Sequence, residues 1–333
     1  MSSPSVPPLT LVVAYKAVEG HEVHLECHLP GADQVRDASR PVPVVIWLHG
    51  GAFFDGARSD YSPVNLLSTL ARGWAFVSLD YRLAPQVTLD DLLEDVRDGC
   101  EFVRAGRLDE ALGGGKVDGE RLAVTGSSAG GALAVFASYT LSRPPRACFS
   151  LYGSLDLLHP SYNAPLTFPS GHISLAEVSS HLDPNGPVVS HSAAEVDFST
   201  MVAHNRTRAC FFAIQEGKVL AWSTRTPPES IDLENPGDKL SGYRAVELVR
   251  RAKEPKRDNL PPTVCVHGTD DLMVPFELSR ALVDELQRAG VDAELVEEAG
   301  ANHGFDLIPG VWGDEVKMRV FERANDFLAK YLE

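Results

Sequence analysis

Apolar residues gather in short, nearly continuous runs that are separated by amphipathic stretches. The runs at 41–51, 74–81, 121–126 and 146–153 have the length and composition of strands that are buried on both faces of a sheet. Between them, the stretch at 89–103 repeats Leu and Val at helical spacing after a threonine that can cap a helix. This alternation predicts an α/β fold with a mostly parallel central sheet and helices on both of its faces.

The alternation of strands and helices stops near residue 156 and resumes near residue 263. The stretch between them is rich in Pro, Ser, His and Asn and contains one helix-like segment, GYRAVELVRRAKE. About a hundred residues without this alternation indicate an inserted cap and not a bare loop. Strands at 263–268 and 293–299 then precede a closing helix. The predicted organisation is a core of residues 1–155 and 259–333, an N-terminal hairpin at about 8–30, and an inserted cap or lid at 156–258.

Composition and charge narrow the possible partners. The chain has 333 residues and a formal net charge of -16, which repels phosphate backbones, so we expect no nucleic-acid partner. No apolar run approaches the roughly 20 residues of a membrane span. The first residues lack the basic and apolar regions of a secretory signal. With five scattered cysteines and no C-x-x-C spacing, we expect a reducing, cytoplasmic location.

The stretch AVTGSSAGGAL at 123–133 carries the first candidate chemistry. Residues 126–130 match the pattern G-x-S-x-G at a point where a predicted strand turns directly into a helix. Such a turn exposes the hydroxyl of its central serine above the sheet. The spacing of the glycines predicts Ser128 as the nucleophile. Ser127 is then a supporting turn residue.

A serine hydroxyl needs a base to take its proton, and in this order of elements the base follows the last strand. His303 lies there, between small residues in the loop GANHGF. The acid is expected in HGTDDLMVP, where spacing from the proline favours Asp271, although a shift of one residue would select Asp270. No H-E-x-x-H motif occurs, and we expect neither a metal nor a cofactor.

Acyl transfer also requires hydrogen-bond donors for the oxyanion that develops on the carbonyl oxygen. The stretch HGGAFF at 49–54 ends a buried strand with small residues, two strands before the serine turn. Its backbone N–H groups can face the nucleophile, and the N–H of Ala129 can join them. The alternative interpretation is a plain glycine turn.

Three motifs in this order carry a family resemblance: HGGA at 49–52, DYRLAP at 80–85 and GSSAGG at 126–131. The chain resembles α/β-hydrolases, and within them the esterase/lipase group related to hormone-sensitive lipase. It departs from that group's pattern at Ser127, where the group has an aspartate, and at Ala52, where it has a third glycine. The resemblance implies Ser128 as nucleophile, Asp271 as acid, His303 as base, and the N–H groups of Gly51, Ala52 and Ala129 as oxyanion donors.

We therefore expect a serine hydrolase that cleaves a small, apolar carboxylic ester through an acyl-enzyme. An amidase or formamidase, a lactonase or an acyl-transferring tailoring enzyme would use the same residues. A ligand-binding receptor on a hydrolase scaffold is an alternative of a different class. Several aromatic and apolar residues can wall a substrate pocket or instead form a small core of the cap: Phe53, Phe168, Met201, Phe211, Phe212 and Trp222.

Overall fold

The sheet that the apolar runs predict is present and has eight strands. The structure, a computed structural model, describes residues 9–168, 171–197, 202–203, 205–252, 259–307 and 314–333. In chain order the strands are β1 (Leu11–Val18), β2 (His21–His28), β3 (Val42–Leu48), β4 (Ala75–Leu79), β5 (Val117–Ser127), β6 (Ala147–Leu151), the separate short pair β7 (Val196–Asp197) and β8 (Val202–Ala203), then β9 (Thr263–Gly268) and β10 (Ala293–Glu298).

The strands of the large sheet are ordered β1-β2-β4-β3-β5-β6-β9-β10. β1 and β2 form the predicted antiparallel hairpin, and β2 also pairs antiparallel with β4. From β4 to β10 every neighbouring pair is parallel. All seven residues of β3 are buried, as expected of a central strand covered on both faces. The prediction of a mostly parallel α/β sheet is confirmed.

Helices cover both faces of the sheet. One face packs against α1 (Pro63–Ala71) and α11 (Asp314–Leu332), and the other against α2 (Leu89–Arg104), α4 (Ala129–Thr140) and α10 (Glu277–Arg288). The helix α9 (Ala245–Arg251) packs on α4 and α10. The predicted threonine cap is present, because the carboxylate of Asp91 accepts the backbone N–H of Thr88 at 2.7 Å. The helices are α1 (Pro63–Ala71), α2 (Leu89–Arg104), α3 (Arg107–Ala111), α4 (Ala129–Thr140), α5 (Leu175–Val178), α6 (Asn205–Gln215), α7 (Val219–Thr224), α8 (Gly237–Ser241), α9 (Ala245–Arg251), α10 (Glu277–Arg288) and α11 (Asp314–Leu332).

The segment between β6 and β9, residues 156–258, is called the inserted segment below. It contains the short helices α5 to α9 and the pair β7–β8, where the sequence predicts a single helix. The predicted helix at 242–254 is present as α9, and residues 253–258 lie outside the described part of the chain. The short elements escape prediction because few of them are long enough to show helical periodicity. The boundaries of a separate cap stay a prediction.

Among the described residues, no helix is both long and apolar enough to cross a membrane. The carboxyl ends of the parallel strands form one edge of the sheet. In sheets of this kind, ligands bind beyond that edge. Turns that follow β3, β5, β9 and β10 carry the candidate residues, so the fold brings four distant stretches of the chain to a common place.

Candidate active site

Ser128 lies between β5 and α4 on a strained backbone, with φ 54° and ψ −120°. Residues with a Cβ avoid this region unless their surroundings impose it. The surroundings are tight: a Cβ at Gly130 would lie 2.2 Å from the carbonyl oxygens of Leu48 and His49. A Cβ at Gly126 would lie 2.4 Å from the Gly130 oxygen. The glycines allow the sharp turn that exposes the serine, as the G-x-S-x-G pattern predicts.

The structure brings Ser128, His303 and Asp271 into one hydrogen-bonded chain. The distance from Ser128 Oγ to His303 Nε2 is 3.0 Å, and that from His303 Nδ1 to Asp271 Oδ2 is 2.8 Å. An imidazole in this position can take the hydroxyl proton while the carboxylate holds its second nitrogen protonated. The His303 side chain is 19% exposed and that of Asp271 only 1%. His303 is therefore within reach of a substrate, whereas Asp271 is shielded from solvent.

Asp271 is surrounded by hydrogen-bond donors. Its Oδ1 accepts the backbone N–H groups of Met273 and Val274, each at 2.8 Å, and its Oδ2 lies 3.2 Å from His267 Nε2. Burial alone would raise the pKa of this carboxyl, but His303, His267 and the Val274 N–H outweigh that effect and hold the pKa well below its ordinary value. The carboxylate is thus ionised at neutral pH.

The adjacent carboxylate, Asp270, is exposed and accepts a hydrogen bond from the hydroxyl of its neighbour Thr269 at 3.0 Å. Of the two aspartates, the structure brings Asp271 to the histidine. The loops that carry Asp271 and His303 are also joined directly, because the side-chain oxygen of Asn302 accepts the N–H of Leu272 and that of His303 at 3.0 and 2.7 Å. Spacing in the sequence gives no sign of this bridge.

The turn at residues 49–56 is called the oxyanion turn below, after the role that the sequence predicts for it, and it packs against the serine turn. A Cβ at Gly50 would lie 3.3 Å from the Cβ of Ser128. Gly51, Ala52 and Phe53 all have positive φ, of 100°, 49° and 75°. Gly51 admits no side chain, since a Cβ would lie 2.1 Å from the Asp55 oxygen. Within the described part of the chain, no acceptor binds the N–H groups of Gly51, Ala52 or Ala129.

His49 begins the oxyanion turn and is a structural residue in this geometry. Its ring stacks on that of Tyr81 with centroids 4.1 Å apart, and the Tyr81 hydroxyl donates to the His49 carbonyl oxygen at 2.7 Å. Burial lowers the pKa of His49 to about 4, so its ring is neutral at physiological pH. The stack joins the end of β3 to the DYRLAP segment.

A second polar group near His303 was not identified from the sequence. The ring of Tyr152 lies 4.6 Å from the ring of His303, and its hydroxyl donates to Asp306 Oδ1. Burial raises the pKa of the Asp306 carboxyl. The hydroxyl of Ser127 also interacts with that of Tyr152. The one sequence signal is that Tyr152 directly follows β6, at the edge of the sheet where the other site residues lie.

The candidate pocket residues divide between two places. Phe53 is 1% exposed and belongs to the main core of the protein. Phe212 stacks on Trp222 with ring centroids 5.9 Å apart, and Phe168 meets Phe211 edge to face at 5.1 Å.

Phe212 packs with Ile173 and Val178 in a small hydrophobic cluster that the inserted segment forms by itself. Phe211 and Trp222 flank that cluster. These contacts favour a small core of the inserted segment over a pocket wall. Met201, the remaining candidate, lies outside the described residues.

Two family models match separate parts of the chain. A model described as BD-FAE matches residues 34–149, and one described as the prolyl oligopeptidase family matches residues 217–333. The first match contains the oxyanion turn and Ser128, and the second contains Asp271 and His303.

Curated relatives match nearly the whole chain but are much longer. The non-reducing polyketide synthase Preu6 of Preussia isomera is 26% identical over 338 residues, covering 92% of this chain. The non-reducing polyketide synthase stbA of Stachybotrys bisbyi is 29% identical over 318 residues, covering 90% of this chain. The chain spans only 14% of the length of each of these two relatives.

Solved structures share the fold. The apo form of Thermogutta terrifontis esterase 2 superposes with a TM-score of 0.61 at 21% identity, covering 98% of this chain and 96% of that one. A Staphylococcus aureus protein described as of unknown function superposes with a TM-score of 0.66 at 16% identity, covering 97% of this chain and 100% of that one.

Fold and site together define the class of protein: the chain has the α/β-hydrolase fold. The hydrogen bonds that join Ser128, His303 and Asp271 have the arrangement that serine hydrolases use. The fold confirms the expectation drawn from the sequence motifs. Membership of the group related to hormone-sensitive lipase stays a prediction.

Proposed function

We propose that the protein hydrolyses carboxylic esters of small molecules through an acyl-enzyme on Ser128. The observation that supports this function most directly is the chain of hydrogen bonds from Ser128 Oγ through His303 to Asp271, at 3.0 and 2.8 Å. The acceptor-free N–H groups of the oxyanion turn support the same chemistry, because an oxyanion needs donors that are already in place.

In the acylation step, Ser128 Oγ attacks the ester carbonyl carbon while His303 Nε2 takes the hydroxyl proton. The carbonyl oxygen becomes an oxyanion, which accepts hydrogen bonds from Gly51, Ala52 and Ala129. The carbon–oxygen bond to the alcohol then breaks, and His303 returns the proton to the leaving alkoxide. Ser128 is left as an ester of the acyl group.

In the deacylation step, water attacks the acyl carbonyl carbon and gives a proton to His303. The bond to Ser128 Oγ breaks, the serine recovers that proton and the carboxylic acid leaves. Asp271 stays ionised through both steps and holds the Nδ1 proton of the imidazole, consistent with its lowered pKa.

Acyl transfer from a thioester is a second candidate. It is favoured by the curated relatives, which are non-reducing polyketide synthases and match about nine-tenths of this chain. A thioester carbonyl is attacked by the same nucleophile and gives the same acyl-enzyme, and only the leaving group differs. An acceptor alcohol in place of water would turn the second step into ester formation.

We further propose a reducing cellular compartment, on the basis of the cysteines. All five are buried and unpaired with one another. Burial raises the pKa of the Cys148 thiol, for example, so that it stays protonated. Thiols in such surroundings behave as small apolar side chains and do not need oxidation for stability.

The test is hydrolysis of p-nitrophenyl acetate and butyrate by the wild type and by Ser128→Ala. We expect the variant to lose at least about 1,000-fold in kcat/KM, because loss of the nucleophile leaves only binding and oxyanion stabilisation. Ser127→Ala, the matched change one residue earlier, should keep measurable activity. Equal activity of wild type and Ser128→Ala would refute the proposal.

The choice between ester and thioester is made with matched substrates. A butyrate ester and a butyryl thioester whose alcohol and thiol have the same carbon skeleton are compared by kcat/KM. An anilide and a lactone are tested as further substrates. A preference of more than about tenfold, or 1.4 kcal/mol in transition-state binding, for the thioester would favour the second candidate.

A further inference from the structure

The oxyanion turn holds a backbone conformation that its own residues do not favour. Gly51, Ala52 and Phe53 are consecutive residues with positive φ, and two of them carry a Cβ. Such conformations persist only where surrounding contacts impose them. The contacts that hold this turn therefore also hold the N–H groups of Gly51 and Ala52.

Some of these contacts come from the turn itself and from the DYRLAP segment. The N–H groups of Phe54 and Asp55 donate to the Gly51 carbonyl oxygen at 2.9 and 3.1 Å, and the N–H of Ala84 donates to the Phe53 oxygen at 2.9 Å. These bonds close the turn, but they do not include the Phe54 carbonyl oxygen, and the Asp55 carboxylate has only the Gly56 backbone as a partner from the turn itself.

The inserted segment supplies the partners. Arg206 Nε donates to the Phe54 carbonyl oxygen at 2.5 Å, and the hydroxyl of its neighbour Thr207 donates to Asp55 Oδ2 at 2.5 Å. The Ser192 hydroxyl binds the other oxygen of Asp55 at 2.7 Å. Both Arg206 and Thr207 lie in the first turn of α6.

Arg206 is a buried cation, only 6% exposed. Its Nη2 donates to the Ala84 carbonyl oxygen and to Gln86 Oε1, both at 2.6 Å. No carboxylate of the described residues lies within ion-pair distance of its guanidinium. Burial of an arginine without such a pair is costly. The hydrogen bonds that Arg206 donates to the turn therefore indicate a role beyond packing.

Another arginine of the inserted segment, Arg225, provides a comparison because it binds the core away from the oxyanion turn. Arg225 donates to the carbonyl oxygens of Pro85, Gln86 and Pro184, at distances between 2.6 and 3.1 Å. It joins the inserted segment to the core with the same kind of bond as Arg206 but does not contact the oxyanion turn. A comparison of Arg206 with Arg225 can therefore distinguish attachment of the inserted segment from positioning of the oxyanion turn.

We propose that Arg206 is a positioning residue for the oxyanion turn, so that the inserted segment contributes to transition-state stabilisation as well as covering the core. Its guanidinium fixes the Phe54 carbonyl and thereby the orientation of the Gly51 and Ala52 N–H groups. This inference rests on the proposed acyl-enzyme chemistry of Ser128.

The first experiment compares Arg206→Met with Arg225→Met in p-nitrophenyl butyrate hydrolysis. Loss of one oxyanion donor costs about 100- to 1,000-fold in kcat, and a misplaced turn should cost somewhat less. We expect Arg206→Met to lower kcat about 10- to 100-fold with KM within about twofold of the wild type. Arg225→Met should keep the wild-type kcat, and Arg206→Lys should recover part of the loss.

A second measurement separates positioning from general loosening. A trifluoromethyl ketone forms a tetrahedral adduct with an active serine, and the adduct places an oxyanion in the turn. We expect its inhibition constant to rise in Arg206→Met by about the factor by which kcat/KM falls. The matching methyl carbinol, which forms no adduct, should bind the variant and the wild type equally.

Thermal unfolding of each variant shows whether it is folded. Should Arg206→Met fail to fold, Thr207→Val removes the neighbouring bond to Asp55 and should lower kcat severalfold in the same pattern. Folded variants of Arg206 and Thr207 with wild-type kcat and adduct affinity would overturn the inference alone. A wild type inert to both the esters and a fluorophosphonate would overturn the proposed function, and the inference with it.

Discussion

The contacts within the parallel-sheet region differ in kind from the contacts between that region and the inserted segment. Within the sheet, the turns approach one another through glycine backbones, as where a Cβ at Gly130 would meet the oxygens of Leu48 and His49. Between the sheet and the inserted segment, the contacts are polar and buried, as where Arg206 and Thr207 bind the oxyanion turn. Steric contacts of the first kind tolerate almost no change in volume, whereas polar contacts of the second kind depend on charge and on pH.

This difference assigns separate tasks to the two regions. The sheet fixes the positions of Ser128, Asp271 and His303 because their turns begin at strands in parallel register. The inserted segment binds the oxyanion turn at Phe54 and Asp55. Substitutions in the turns of the sheet should therefore abolish activity or folding. Substitutions in the inserted segment should have smaller effects on both.

The largest expected effect comes from the acid of the sheet region. Asp271→Asn keeps the shape of the side chain but removes the charge that holds the His303 tautomer. We expect a loss of about 1,000- to 10,000-fold in kcat. Asp270→Asn, the neighbouring and exposed change, should stay within about twofold of the wild type. Steady-state hydrolysis of p-nitrophenyl butyrate measures both, and an active Asp271→Asn with an inactive Asp270→Asn would reverse the assignment of the acid.

The next largest effect is on stability, and it compares one glycine of the sheet region with one glycine of the inserted segment. Gly130→Ala forces a Cβ to within 2.2 Å of two backbone oxygens that cannot move independently. We expect it to lower the free energy of unfolding by about 3 kcal/mol or to prevent folding. At Gly242 in the inserted segment, an added Cβ would meet one carbonyl oxygen at 3.1 Å.

Gly242→Ala should therefore change the free energy of unfolding by less than about 1 kcal/mol. Urea unfolding monitored by tryptophan fluorescence compares the two variants. A Gly130→Ala protein as stable as Gly242→Ala would show that the serine turn is not sterically closed.

The last expected effect depends on pH and involves Asp60. Its Oδ2 accepts N–H groups from Ala57 and from Ala194 of the inserted segment, each at 3.0 Å. Burial, assisted by the negative charge of Asp55, raises the pKa of Asp60 to about 6. A carboxyl whose pKa is raised on folding binds its proton more tightly in the native state. This group therefore favours the folded state most at low pH, and that contribution is lost as the pH rises from about 4 to 6.

Asp60→Asn should remove this dependence, because the amide oxygen still accepts both N–H groups but does not ionise. Relative to the wild type, the variant should gain stability between pH 4 and 7, by up to about 3 kcal/mol. Urea midpoints at the two pH values measure the difference. Asp238, whose carboxylate is fully exposed, is the control site. An unchanged pH profile in Asp60→Asn would contradict the prediction.

The sequence predicted those features of the site that depend only on residues close together along the chain. The turn around Ser128 is predictable because a strand, two glycines and a helix must coincide there. The loop of His303 is predictable because it follows the last strand. Each of these features depends on neighbours along the chain, so periodicity and spacing reveal them.

Sequence reasoning failed where the partner is far away along the chain. Arg206 binds an oxygen that lies 152 residues before it, and Tyr152 binds a carboxylate that lies 154 residues after it. No local pattern distinguishes such an arginine from an exposed one. The aromatic residues of the inserted segment were open to two interpretations for the same reason, because their spacing does not show whether they face a substrate or one another.

The separation of Ser128 and His303 along the chain has a consequence in time. The proposed base is 175 residues downstream of the proposed nucleophile. At about 5 to 20 residues per second, a ribosome needs roughly 10 to 35 seconds to add that length. During this interval the growing chain carries a serine turn without the groups that activate it. A protein built in this order gains reactivity only when its last strands join the sheet, so unfinished chains should be inert toward esters and toward acyl donors in their surroundings.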